Sequence, residues 1–209
     1  MMLSRTDPAA GVSTETGADP GGRHAPGRST AWSLLVAGLI GLVASATLLI
    51  EKVELLKDPR YTPTCSINPV LSCGSIMKTW QAELLGFPNP VIGVVGFAVV
   101  TTTGASLLAG AVLRGWYWWG LLIGAASGVL LVHWLILQSL YRIGALCPYC
   151  MVVWVVTMTI FVAAVTSLRR ALRVPPSIIQ YAPSLLVAWT LVVAALIAVR
   201  FWDYWSTLV

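Results

Sequence analysis

Five long apolar stretches constrain this chain more than any other feature of its sequence. They cover residues 31–50, about 90–113, 116–140, 148–168 and 183–202. A helix needs roughly 20 apolar residues to cross a hydrocarbon core about 30 Å thick, and it satisfies its own backbone hydrogen bonds there. With 57% hydrophobic and 10% charged residues, the sequence is incompatible with an ordinary water-soluble domain. It predicts an all-α integral membrane protein with five spans.

The segments between these stretches predict the domain organisation. Residues 1–30 are rich in Gly, Pro, Ser and Thr and are expected to form a disordered cytoplasmic tail. The first apolar stretch is too long for a signal-peptide core and lacks a small-residue cleavage site, so it is expected to remain as an anchor. Residues 51–88 form a polar loop, residues 169–182 a cytoplasmic linker, and residues 183–209 the fifth helix with a short tail.

The basic residues indicate an orientation. The net charge of +5 does not point to nucleic acid, because the basic residues are scattered at helix ends and form no basic face. Lys and Arg in short flanking segments favour the cytoplasm. The opposite side carries a similar number, but four of those lie in one long loop with nearly matching acids. A multi-pass protein of the inner or plasma membrane with a cytoplasmic N-terminus is therefore predicted. Its cytoplasmic segments contain Arg5, Arg23, Arg28, Arg114, Arg169, Arg170 and Arg173.

Four cysteines converge on one membrane face in this topology. Cys65 and Cys73 lie in the outer loop, and Cys147 and Cys150 open the fourth span from the same side. An even number of cysteines in an oxidising compartment favours disulfides. The CPYC segment at 147–150 places two thiols one turn apart at a helix N-terminus, where free N–H groups stabilise a thiolate. The pattern favours a thiol-disulfide relay.

Two other uses of the four cysteines remain open at this point. A CxxC pair is also found as half of a metal site, and a non-catalytic metal-binding or transport protein is one alternative. Compact zinc sites usually have two closely spaced pairs, whereas seven residues separate Cys65 from Cys73, so no metal is expected. The second alternative is a pair of static disulfides that hold the loop to the helices.

Together, Cys65, Cys73, the CPYC segment and GFPNPVIG at 86–93 resemble the vitamin K epoxide reductase family over residues from about 31 to 168. The resemblance implies a four-helix catalytic core at 31–168 with an extracytoplasmic loop at 51–88. For bacterial members it implies a function like that of the DsbB proteins, which reoxidise a DsbA-like thioredoxin-fold partner and reduce a quinone. Here the partner is expected on a separate chain, and the quinone is expected to be menaquinone or ubiquinone.

The resemblance also implies an order of electron transfer. Cys65 would accept electrons from the partner, Cys73 would exchange with Cys147, and Cys150 would face the quinone. A disulfide handed along in this way requires each thiol to reach the next sulfur. An alternative within the same family is that reduction of vitamin K epoxide or of quinone is itself the main activity.

Five further residues are candidates for the quinone pocket. Thr79 retains the hydroxyl that the family commonly has six positions after the second loop cysteine. Asn89 corresponds to the asparagine that polarises the quinone in animal members, and Trp154 stands where those members have Tyr. Phe87 is a candidate wall of the pocket. An ionisable group inside a span is costly, so His133 is either a proton relay for quinone reduction or, as we favour, a neutral histidine bonded to a neighbouring helix.

Overall fold

The computed structural model describes residues 23–24, 26–169 and 171–206, and most of these are helical. The predicted all-α membrane fold is confirmed. Two short strands, β1 (Arg23–His24) and β2 (Leu113–Arg114), pair antiparallel. The helices are α1 (Arg28–Lys57), α2 (Cys73–Met77), α3 (Asn89–Leu108), α4 (Gly115–Gln138), α5 (Pro148–Ser167), α6 (Pro176–Gln180), α7 (Ala182–Arg200) and α8 (Trp202–Trp205).

Five of these helices are long and apolar enough to cross a membrane: α1, α3, α5, α7, and α4 together with the π-helical turn Ser139–Ile143 that extends it. Two predicted boundaries need correction. Residues 28–30 and 51–57 were expected in the tail and the loop, but α1 includes both. The helix continues because EKVELLK at 51–57 consists mostly of good helix formers. Residues 1–22 and 25 of the predicted tail lie outside the described residues, as do residues 170 and 207–209.

Four helices share one apolar core. Helix α1 lies between α3 and α5, and α4 packs on α5. Leu34, Phe97, Trp118 and Ile160, one from each of these helices, are buried together. The outer faces carry exposed large apolar side chains, as expected where a helix meets lipid. Examples are Val43, Ile50, Leu130 and Val199.

Helices α1 and α3 approach each other closely through glycines. A Cβ atom at Gly104 would lie 2.4 Å from the backbone nitrogen of Leu35, and one at Gly38 would lie 2.8 Å from that of Thr101. Small residues allow such backbone contact in membranes, where van der Waals packing replaces the hydrophobic effect as the force between helices. This contact fixes α1, whose last turns carry the cysteine-bearing loop.

Candidate active site

A short backbone bridge brings the loop and α5 together. The Leu146 N–H donates to the Val70 carbonyl at 2.7 Å, and the Ser72 N–H donates to the Leu146 carbonyl at 2.9 Å. Cys73 and Cys147 are the residues that directly follow Ser72 and Leu146. The bridge therefore holds Cys73 and Cys147 close together in space, although they are far apart in sequence.

All four cysteines gather at this end of the bundle. Cys65 and Cys73 form a disulfide, and Cys147 and Cys150 are free thiols. The sulfur of Cys147 lies 3.1 Å from the sulfur of Cys73. Cys65, Cys73 and Cys147 are buried, whereas Cys150 is half-buried. This arrangement places a thiol next to a disulfide sulfur, as thiol-disulfide exchange requires.

Cys147 occupies the N-cap of α5. Its sulfur accepts a hydrogen bond from the Cys150 N–H at 3.4 Å. The pKa of the Cys147 thiol lies below its ordinary value, first because the Cys150 side chain hydrogen-bonds to it, and further because the N–H groups of Cys150 and Tyr149 do so; burial opposes these effects. A lower pKa gives more thiolate near neutral pH and a better leaving group.

The pH dependence of Cys147 reactivity tests this arrangement. Cys150→Ala removes the largest cause of the lowered pKa, so the Cys147 thiolate is expected to form at higher pH than in the wild type. Cys150→Ser retains a hydroxyl donor and is the matched control, with an inflection expected closer to that of the wild type. The measurement is the rate at which methyl methanethiosulfonate modifies the Cys147 peptide, followed by mass spectrometry across pH. Equal inflections in the Ala and Ser variants would show that the Cys150 side chain has no such effect.

A metal site would need a different cysteine state. The sulfurs of Cys65, Cys73 and Cys147 lie within 4.8 Å of one another. Thiolates are the ligands that bind zinc, however, and two of these three sulfurs are joined in a disulfide. The same proximity is what a relay of disulfides requires.

Cys150 and Trp154 share an apolar cluster. Trp154 is 3% exposed, and Cys150 packs against the same cluster one turn earlier on α5. Residues of α7 and the segment after it, among them Trp189 and Phe201, contribute to it as well. The structure thus brings Trp154 and Cys150 together, with the fifth helix beside them. The buried members of this cluster are Val70, Val132, Ile136, Leu140, Leu146, Trp154 and Phe201.

Two other predicted pocket residues, Asn89 at the start of α3 and Thr79 in the loop, have local hydrogen-bond partners. The Asn89 side chain donates to the Gln81 carbonyl at 2.7 Å and accepts from the Leu84 N–H at 3.1 Å. The Asn89 side chain therefore stabilises the end of the loop through two hydrogen bonds. The second N–H of its amide group can donate to a further partner. The Thr79 hydroxyl donates to the Ile76 carbonyl at 2.7 Å, and Phe87 is 41% exposed. Their role as quinone contacts stays a prediction.

His133 connects α4 to the fifth helix. Trp189 Nε1 donates to His133 Nε2 at 3.0 Å, and His133 Nδ1 lies 2.8 Å from the Val129 carbonyl. Because the indole N–H is only a donor, Nε2 must accept and Nδ1 must carry the proton. This hydrogen bond joins α4 to a neighbouring helix, which is the interpretation of His133 that we favour from the sequence. The alternative interpretation is a proton relay. Arg200 makes a second link from α7, donating to the Leu140 carbonyl at 3.0 Å.

Removal of the indole donor is expected to loosen the fifth helix. Trp189→Phe keeps an aromatic ring but loses the bond to His133, and interhelical hydrogen bonds in membranes average about 0.6 kcal/mol. Faster hydrogen exchange of α7 in detergent micelles is the expected result, with Trp202→Phe, at an exposed position, as the control. Combining Trp189→Phe with His133→Phe isolates the pairwise energy. Purely additive effects of the two substitutions would show that the bond does not hold α7.

Sequence reasoning missed two residues near the site. It placed Glu51 and Lys52 at the start of a solvated loop, but both lie on α1 and are 6% exposed. Their side chains bond to the loop on either side of the cysteine disulfide. The helix-forming run EKVELLK is a signal that α1 continues past residue 50, although it does not reveal the partners.

Helices able to span a membrane, with a disulfide in contact with a CxxC pair, form an arrangement suited to a membrane thiol oxidoreductase. The family model described as the vitamin K epoxide reductase family matches residues 32–165, which run from α1 almost to the end of α5. The chain belongs to this family, and the fifth helix lies outside the matched region. Comparison with curated proteins returned no significant match.

Proposed function

We propose that this protein reoxidises a DsbA-like thioredoxin-fold protein and passes the electrons to a membrane quinone. The observation that carries the proposal is the 3.1 Å separation between the Cys147 sulfur and the Cys73 sulfur of the Cys65–Cys73 disulfide. Such an activity would support disulfide formation in secreted proteins.

The first step is exchange with the partner. A partner thiolate attacks Cys65, the Cys65–Cys73 bond breaks, and a partner–Cys65 disulfide forms while Cys73 leaves as a thiolate. The partner's second thiol then attacks its own mixed disulfide and releases Cys65 as a thiol. Two electrons have moved to the protein, and the partner is oxidised. Since Cys65 is 4% exposed, the loop segment that contains it must move before a partner thiolate reaches its sulfur.

The second step passes the two electrons to α5. When Cys147 and Cys150 are joined, the Cys73 thiolate attacks Cys147 and displaces Cys150; Cys65 then attacks Cys73 and releases Cys147. This restores the Cys65–Cys73 disulfide and leaves thiols at Cys147 and Cys150, which is the state that the structure presents. The lowered pKa of Cys147 favours its departure as a thiolate.

The third step regenerates the disulfide of α5. Closing the Cys147–Cys150 pair releases two electrons and two protons, which a quinone is suited to accept. The apolar and aromatic surroundings of the half-buried Cys150, Trp154 above all, suit a quinone ring. Phe87, Asn89 and Thr79 are further proposed contacts. Menaquinone and ubiquinone are the two candidates.

The proposed orientation puts this chemistry outside the cytoplasm. Arg28 at the start of α1, Arg114 in β2 and Arg169 just after α5 lie at one end of the bundle, and the cysteines lie at the other. The first end holds the arginines that favour the cytoplasm. The cysteine end would then face the oxidising side of the inner or plasma membrane, where a secreted partner is available.

The test is anaerobic oxidation of a reduced DsbA-like protein by the purified full-length chain with added menaquinone or ubiquinone. We expect one partner disulfide for each quinone reduced, and none when the protein has first been reduced and alkylated. Electron transfer to vitamin K epoxide but not to quinone would favour the reductase alternative. Stoichiometric bound zinc without any electron transfer would overturn the relay.

A further inference from the structure

Two adjacent side chains of opposite charge are buried at the end of α1. Glu51 and Lys52 are each 6% exposed, although charged groups are almost never buried without partners. They lie in the last two turns of α1, beneath the loop that carries the Cys65–Cys73 disulfide. Their partners reveal what this burial achieves.

Glu51 holds the segment before Cys65. One carboxylate oxygen accepts from the Tyr61 hydroxyl at 2.9 Å and from the Thr64 N–H at 3.2 Å, and the other accepts from the Thr64 hydroxyl at 2.5 Å. The bond to Glu51 also raises the pKa of the Tyr61 phenol, which therefore remains a donor. Thr64 is the residue directly before Cys65, so this carboxylate fixes the approach to the first loop cysteine.

Lys52 holds the segment after Cys73. Its ammonium donates to the Met77 carbonyl at 2.6 Å and pairs with the Glu83 carboxylate at 2.8 Å. Met77 is the last residue of α2, the short helix that Cys73 begins. The two neighbouring charges thus bind opposite flanks of the disulfide.

We propose that Glu51 and Lys52 are positioning residues for exchange between Cys73 and Cys147. They hold both flanks of the loop disulfide on α1, so that the Cys73 sulfur stays beside Cys147 on α5. This role rests on the proposed relay function. Positioning matters here because the rate of a reaction between two fixed groups depends steeply on their separation. A shift of about 1 Å can reduce the rate on the order of a hundredfold.

A cross-linking assay tests this role without partner or quinone. In the full-length chain with Cys65→Ala and Cys150→Ala, Cys73 and Cys147 are the two remaining cysteines. Diamide accepts two electrons and two protons from them as they join, and the rate of joining reports how closely they are held. We expect Glu51→Ala and Lys52→Met to slow this reaction at least about tenfold, since small displacements of held groups have large effects on rate.

Matched controls come from the next turn of the same helix. Glu54 and Lys57 pair with each other at 2.7 Å, with side chains 43% and 64% exposed. In the chains with Glu54→Ala or Lys57→Met, Cys73 and Cys147 are expected to join at the same rate as in the parent chain with Cys65→Ala and Cys150→Ala. The thermal midpoint of each variant is measured in parallel. A purely structural role would lower the midpoint without a selective loss of joining, and that result would overturn the proposal.

Milder substitutions keep the test decisive if Glu51→Ala does not accumulate as folded protein. Tyr61→Phe and Thr64→Val remove the donors one residue at a time and leave Glu51 in place. We expect each to slow the joining of Cys73 and Cys147 by a smaller factor than Glu51→Ala. Unchanged joining in both, together with unchanged joining in Lys52→Met, would also overturn the proposal. Because the assay omits the partner and the quinone, such a result would leave the relay itself untouched.

Discussion

Replacement of Cys147 by serine is expected to reduce quinone-linked turnover by a factor on the order of a thousand or more, as loss of a nucleophile that acts in a unit does. A hydroxyl cannot form the Cys147–Cys150 disulfide or the mixed disulfide with Cys73. The Cys65–Cys73 disulfide remains intact, however, so each chain is expected to oxidise one equivalent of partner and then stop. The measurement is oxidised partner per chain against time, with and without quinone.

The control for this variant is Thr159→Ala on the same helix. In the described contacts, the Thr159 hydroxyl donates only to the Val155 carbonyl, which also belongs to α5. We expect it to turn over normally. Cys73→Ala adds information on order when it is mixed with the oxidised partner. The free Cys65 thiolate then attacks the partner's disulfide, a Cys65–partner disulfide forms, and the partner's second thiol is released, where alkylation blocks it and preserves the mixed disulfide. Continued quinone-dependent turnover of Cys147→Ser would rule out the proposed path of electrons.

Substitution of Gly104 by leucine is expected to disrupt the contact between α1 and α3. A Cβ atom there meets the Leu35 backbone at 2.4 Å, and a backbone cannot rotate away as a side chain can. Overpacking usually costs about 1–3 kcal/mol, and we expect the upper end of that range or more. Unfolding in detergent micelles, followed by circular dichroism, measures the loss.

Gly96→Leu is the matched control on α3. Gly96 is exposed, and among the described residues nothing lies within 4 Å of a Cβ atom built there, so the substitution causes no clash at Cβ. Both substitutions replace glycine by leucine within a helix, and their gains in helix propensity cancel in the comparison. Equal stability of the two variants would show that close approach at Gly104 does not hold the bundle together.

The spans were predictable because lipid imposes a simple requirement on length and polarity. Helix α5 begins at Pro148, where the apolar stretch begins, and α3 begins at Asn89, one residue before the predicted start. The end of α1 was not predictable in the same way. A count of apolar residues stops at Glu51, and although the run EKVELLK favours a longer helix, it does not reveal that Glu51 and Lys52 are buried against partners in the loop.

The gathering of the four cysteines followed from topology, but their detailed contacts did not. Sequence placed Cys73 and Cys147 on one face, whereas their 3.1 Å approach depends on backbone pairing, which leaves no mark in side-chain patterns. His133 illustrates the same limit. Its partner Trp189 is 56 residues away, on a helix outside the region that matches the family.

The backbone bridge between the loop and α5 has a consequence for how this protein tolerates change in length. Main-chain groups make the bridge at Val70, Ser72 and Leu146, so side-chain replacement at these positions leaves its bonds available. One residue inserted between the bridge and either Cys73 or Cys147 is different, because an extended chain advances about 3.3 Å per residue. That advance exceeds the present distance between the two sulfurs. In related proteins that share this chemistry, we therefore expect the residue types at the bridge to vary, while the number of residues between the bridge and each cysteine stays the same.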